Sequence, residues 1–116
     1  MITPAGNFRI FLVTQPVDFR KGMVGLAGRI AEHFDRDPFD GAIYVFRSRR
    51  ADSLKMIVWD GTGLVLVMKR LNGTRFIWPK PDSAPFNLSR VQFDALFEGI
   101  DGRNVATSIV RKPSII

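Results

Sequence analysis

Between Ala42 and Trp78 four short runs rich in β-branched and aromatic residues alternate with turn sequences, and this pattern constrains the fold more than any other. The runs are Ala42 to Arg47, Leu54 to Trp59, Leu64 to Leu71 and Arg75 to Trp78. Asp60-Gly61-Thr62-Gly63 joins the second to the third, and Asn72-Gly73 the third to the fourth. Asn-Gly favours a two-residue hairpin turn because both central positions of a type I′ turn need positive φ. Consecutive hairpins make a meander, so the spacing predicts an antiparallel sheet.

The flanking segments predict three further elements. Phe8 to Val13, followed by Pro16, reads as a strand. Met23, Leu26, Ala27, Ile30 and Phe34 fall on one face of a helix, with Asp18 as its N-terminal cap or first-turn acid and Asp37-Pro38 closing it. Gly22, Gly25 and Gly28 recur along one side, which suggests close approach of a strand, another helix or a partner backbone. After an extended stretch marked by Pro79, Pro81 and Pro85, Ser89 and Gln92 have capping-box spacing. Leu88 and Phe93 sit where a hydrophobic staple would place them. Phe93, Leu96 and Phe97 give the second helix its buried face. Gly99, with Ile100 behind it, supplies a left-handed C-terminal cap.

The expected order is β-α-β-β-β-β-α: an α+β domain over residues 1–101, with a four- to five-stranded, mainly antiparallel sheet and both helices packed on one face. Residues 102–116 read as a C-terminal tail. Among 116 residues, one domain is expected.

Composition narrows the chemistry. The chain has no cysteine, which excludes disulfides, thiolate zinc sites and cysteine nucleophiles. His33 is the single histidine, so a multi-histidine metal site is excluded as well. No apolar run approaches the ~18 residues of a membrane span, and Met1 to Phe8 does not resemble a signal peptide; a cytoplasmic location without membrane attachment is the expectation. Asp18, Asp37, Asp52 and Asp60 are scattered over loops and turns, which does not suggest a two-metal nuclease centre. No cofactor and no enzymatic activity is expected.

The net charge of +6 points to a polyanionic partner, nucleic acid first. Within 47–75 lie Arg47, Arg49, Arg50, Lys55, Lys69, Arg70 and Arg75, opposed only by Asp52 and Asp60. In a meander the Arg47–Arg50 loop and the Leu71–Thr74 turn lie toward the same end of the sheet, so their cations converge there. Phosphate binding needs several cations on one surface, and arginine adds bidentate contacts. Trp59 and Trp78 are candidates for base stacking or for contact with a partner.

These residues also carry a family resemblance. Asp18-Phe19-Arg20-Lys21-Gly22 with Gly25-Leu26, Asp37-Pro38, Gly41, Val45-Phe46-Arg47, Arg49-Arg50, Asp52, Lys55, Trp59-Asp60-Gly61, Gly63, Lys69-Arg70-Leu71, Phe76-x-Trp78-Pro79 and Gly99-Ile100-Asp101 occur here in one order. In that series the chain resembles the small accessory protein encoded by the second open reading frame of insertion sequences of family sixty-six, called TnpB of that family. Val24 and Val67-Met68-Lys69 depart from its pattern.

The resemblance implies a non-catalytic accessory protein of transposition whose partner is the transposase of the same element. The acidic catalytic residues belong to that transposase. Arg20 and Lys21 open the first helix, where the helix dipole disfavours cations; this suggests contact with phosphate or an acidic partner surface. The leading expectation is DNA binding through Arg20, Lys21, Arg47, Arg49, Arg50, Lys69, Arg70 and Arg75 within a transposase–DNA complex. The alternative is an adaptor that binds the transposase through the Gly22/Gly25/Gly28 face or the tryptophans and does not touch DNA. An exposed sheet edge would support a homo-oligomer.

Overall fold

The computed structural model describes residues 9–78, 80 and 85–99. The expected tail 102–116 and the positions of Phe8, Pro79, Pro81, Ile100 and Asp101 lie outside the described residues. The elements are β1 (Ile10–Leu12), α1 (Met23–Phe34), β2 (Ile43–Arg47), β3 (Ser53–Trp59), β4 (Leu64–Arg70), β5 (Phe86–Leu88) and α2 (Arg90–Phe97). They form one five-stranded sheet in the order β4-β3-β2-β1-β5. β2, β3 and β4 are the expected antiparallel meander. β1 runs parallel to β2 because α1 crosses between them, and β5 is antiparallel to β1. The fold is therefore α+β with a mainly antiparallel sheet, as expected.

The helices do not share a face. Ile43 and Val45 of β2, Leu54 and Met56 of β3, and Phe76 pack with Phe93 and Leu96 of α2. Tyr44, Phe46 and Ile57 pack on the other side with Leu26, Ala27 and Ile30 of α1. Successive strand residues point to opposite faces, so the consecutive apolar run Ala42 to Phe46, buried throughout, demands cover on both. A sheet covered on one face alternates apolar and polar instead. That run is the physical reason for the three-layer arrangement, with β2 at its centre.

The fourth run, Arg75 to Trp78, is not a strand. Gly73 has φ +72°, but Asn72 does not share the positive φ that a type I′ turn requires. The chain instead crosses the α2 side of the sheet. The Phe76 N–H donates to the Ala51 carbonyl at 2.6 Å, and its ring is only 3% exposed in the core. The fifth strand comes later, at Phe86–Leu88, leaving β4 at one edge of the sheet.

The helix termini follow local chemistry. α2 has the expected capping box: Ser89 accepts from the Gln92 N–H at 3.1 Å, and the Gln92 side chain accepts from the Ser89 N–H at 2.9 Å. Gly99 takes the left-handed conformation at φ +73°, and a Cβ there would meet a Leu71 methyl at 3.0 Å. α1 begins at Met23 with Gly22 as N-cap and no side-chain cap. Asp18 does not cap it, because its carboxylate is already engaged by Arg20.

Candidate nucleic-acid interface

Three segments meet at one end of the sheet. After β1 the chain continues beside β2, with the Val13 N–H donating to Val45 O at 2.8 Å and Val17 N–H to Arg47 O at 3.1 Å. This brings Asp18–Lys21 alongside the β2–β3 turn. The β3–β4 register, with Ser53 opposite Arg70, brings the chain leaving β4 to the same turn. There the Leu71 N–H donates to Asp52 O at 2.8 Å.

The turn itself is tightly held. Ala51 N–H donates to Ser48 O at 3.1 Å, which puts Arg49 and Arg50 at the two central positions with exposed side chains. The Ser48 hydroxyl donates to Asp52 Oδ1 at 3.1 Å and accepts from the Ser53 N–H at 3.1 Å. A cleft of about 380 Å³ lies on one side, lined by Arg20 and Arg49 among others. A second, of about 270 Å³, lies on the other side and is lined by Arg50, Asp52 and Arg75 among others. Four arginines thus line two clefts flanking one turn. Lys21 and Arg70 are exposed at the same end, and Arg70 Nε donates to Ser53 Oγ at 3.2 Å.

Two of the expected cations do other work. Arg47 is half-buried and donates to Ser48 O and Arg49 O, both at 3.2 Å, bracing the turn. Its guanidinium lies 5.7 Å from the Trp78 ring centroid, and burial lowers its pKa from the ordinary value. Lys69 points to the α2 side and donates to Phe97 O at 2.6 Å. There it neutralises the negative end of the helix and does not join the basic end. Trp59 is also elsewhere. It packs edge-on against Phe39 at 5.4 Å, beside the Asp60 turn at the opposite end of the sheet. Trp78 is at the basic end but half-buried against Phe76.

Arg20 is present with a counter-charge. Its Nη2 lies 2.7 Å from Asp18 Oδ2 and its Nε 3.1 Å from Oδ1. Side-chain hydrogen bonding by Arg20, then its backbone N–H, pulls the Asp18 carboxyl from 3.8 down to about 2. The pair is therefore intact above the ordinary carboxylate range and is lost only as pH falls through about 2. In an NMR titration the Asp18 carboxyl carbon is expected to titrate near 2; a midpoint near the ordinary 3.8 would show that the pair is not formed.

Sequence reasoning missed the role of Lys55. It is 9% exposed and faces α1. Its ammonium donates to Phe19 O at 2.8 Å and Lys21 O at 3.1 Å and sits 5.1 Å from the Phe19 ring centroid. It fastens the Asp18–Gly22 segment to the sheet. The available signal was a lysine inside an otherwise apolar strand, Leu54-Lys55-Met56-Ile57-Val58.

The acidic residues do not converge. Asp60 accepts from Thr62 N–H, Thr62 Oγ1 and Gly63 N–H, a turn role that also lowers its pKa. Among the described residues no group of His, Asp or Glu is arranged to hold a metal ion. No described helix is long and apolar enough to cross a membrane. The glycine side of α1 is open: a Cβ at Gly22 or Gly28 would meet nothing within 4 Å, and at Gly25 only the Lys21 side chain. Among the described residues, then, no strand or second helix makes the close approach expected from that spacing.

Residues 8–107 match the family model described as IS66 Orf2 like protein. The chain is 40% identical to the uncharacterized protein y4jC of Sinorhizobium fredii over 114 residues, 98% of this chain and 97% of that one. It is 38% identical to protein y4hO of the same organism over 104 residues, 90% of each chain. No solved structure matches it.

Proposed function

The chain belongs to the IS66 Orf2-like family, a family of transposition-associated accessory proteins, and from that premise we propose that it is a non-catalytic factor that grips the DNA backbone with the basic end of its sheet. The observation that carries this reading is the pair of arginine-lined clefts on either side of the Arg49–Arg50 turn. A rigid turn presenting two adjacent guanidinium groups, with Arg20 and Arg75 beyond them, suits successive phosphates along a strand. Guanidinium forks make bidentate contacts with phosphate. Asp18 tempers Arg20, so Arg49, Arg50 and Arg75 carry most of the attraction. Binding takes place within a complex with the transposase of the same element.

The test is fluorescence anisotropy of this protein with labelled element-end DNA and random DNA across a salt series. Contact with three or four phosphates requires a log–log slope of about −3 or steeper. A flat salt dependence, or no binding without the transposase, contradicts direct DNA contact.

The adaptor reading has one observation in its favour. Val24 is 85% exposed on α1, next to the open glycine side. Gly28→Ala fills empty space in a helix, so it is expected to raise stability by about 0.5–1 kcal/mol and to leave DNA affinity unchanged. Thermal melts and the same anisotropy assay check both parts. Loss of transposition with intact DNA binding in this variant would assign the helix surface to a protein partner.

A further inference from the structure

The two edges of the sheet are built differently. β5 is three residues long and follows Pro85. β4 is seven residues long, reads Leu-Val-Leu-Val-Met-Lys-Arg, and pairs only with β3 among the described residues. It has no proline and no bulge in its register. Natural edge strands are usually shortened, kinked or charged along their length to prevent further pairing; this one carries charge only at its last two positions.

The hydrogen-bond phase of β4 is fixed by its ends. Leu71 N–H donates to Asp52 O, and Gly63 O accepts from Asp60 N–H. In an antiparallel ladder the bonded positions alternate, so Val65, Val67 and Lys69 face β3. The backbone groups of Leu64, Leu66, Met68 and Arg70 face outward. An antiparallel second copy engages all four outward residues in only one register, centred on Val67. Leu64 then lies opposite Arg70 of the second copy, and Leu66 opposite Met68. Met68, which is 51% exposed, gains an apolar neighbour. The cationic ends of the two strands fall about 20 Å apart, so they do not repel at close range.

We infer that β4 is a homodimerisation edge, pairing antiparallel with β4 of a second copy about a two-fold axis at Val67. The sheet then continues across both copies, with their basic ends facing in opposite directions. This inference stands apart from the DNA reading and requires neither DNA nor transposase.

The chain has no cysteine, so single-cysteine variants of the full protein test the register. Val67→Cys places two thiols on a non-hydrogen-bonded pair, with Cα atoms about 4.5 Å apart. That lies inside the disulfide range of about 4.4–6.8 Å. Val65→Cys, on the same face, leaves its two thiols about 14 Å apart. The expected result is rapid disulfide dimerisation of Val67→Cys only, together with a concentration-dependent monomer–dimer equilibrium of the cysteine-free protein in sedimentation. Met68→Pro removes an outward N–H without touching the β3 ladder and is expected to weaken the dimer at least about tenfold. Circular dichroism checks that it folds; if it does not, the cysteine pair decides. A monomer at all concentrations, equal crosslinking at positions 65 and 67, or a folded Met68→Pro protein that dimerises normally would each overturn the inference.

Discussion

Lys55→Ala is expected to lower stability by about 3 kcal/mol and to release the segment that carries Arg20 and Lys21. The lysine is nearly buried, and its ammonium lies against the Phe19 ring and the carbonyls of Phe19 and Lys21. Alanine removes three methylenes at about 0.8 kcal/mol per buried CH₂. It also removes two hydrogen bonds from a charged donor, each worth roughly 1.5–3 kcal/mol. Relief of the ammonium's desolvation offsets part of this. In a domain of this size, about 3 kcal/mol corresponds to a fall in Tm of roughly 10–20 °C. Lys55→Met separates the two contributions. Methionine keeps most of the packing, so it recovers stability, but the Phe19 and Lys21 carbonyls lose their donor. Hydrogen exchange is therefore expected to speed up at residues 18–22 in both variants. Unchanged protection there in Lys55→Met would show that the ammonium does not hold the segment.

Arg49→Ala with Arg50→Ala is expected to have the largest effect on DNA binding. Each exposed guanidinium contributes close to one released counterion, so the log–log salt slope should flatten by about 2. At moderate salt the loss is roughly thirtyfold in affinity, about 2 kcal/mol, or about 1 kcal/mol per contact. Stability should be almost unchanged, because both side chains are exposed at a turn whose hydrogen bonds come from the backbone, Ser48 and Arg47. Arg20→Ala should flatten the slope less, since Asp18 already neutralises that side chain. Lys69→Ala should not flatten it, and should instead weaken the α2 terminus. A double variant that binds as tightly as the parent would remove the turn from the interface.

Much of this architecture was legible from local chemistry. The capping box at Ser89, the left-handed Gly99 and the Asp60 turn are each dictated by a few neighbouring residues, and each formed as its sequence implies. The meander from β2 to β4 was legible for the same reason. Features decided by tertiary contact were not. Phe76 is drawn into the core under α2, which overrides the Asn72-Gly73 hairpin signal. The apolar run Ala42 to Phe46 did hold the information that both sheet faces are covered, through its lack of alternation.

The basic end was legible in outline, because strand pairing alone brings residues 47–50 and 70–75 together. Its division into working parts was not. Arg47 braces the turn through carbonyls of its own neighbours, Ser48 and Arg49, whereas Lys69 caps a helix and Lys55 fastens a loop through carbonyls contributed from distant segments. Asp18 illustrates the same point at short range. The sequence reads as a helix cap or first-turn acid at Asp18, but its carboxylate pairs with Arg20 and α1 begins only at Met23.

The most direct measurement is an amide-resolved NMR titration of the full chain with an element-end duplex at low salt. Shifts are expected to concentrate at residues 18–21, 48–52 and 70–75 and to fade as salt is raised. Shifts centred on the exposed side of α1, or none at all without the transposase, would contradict DNA binding by the basic end.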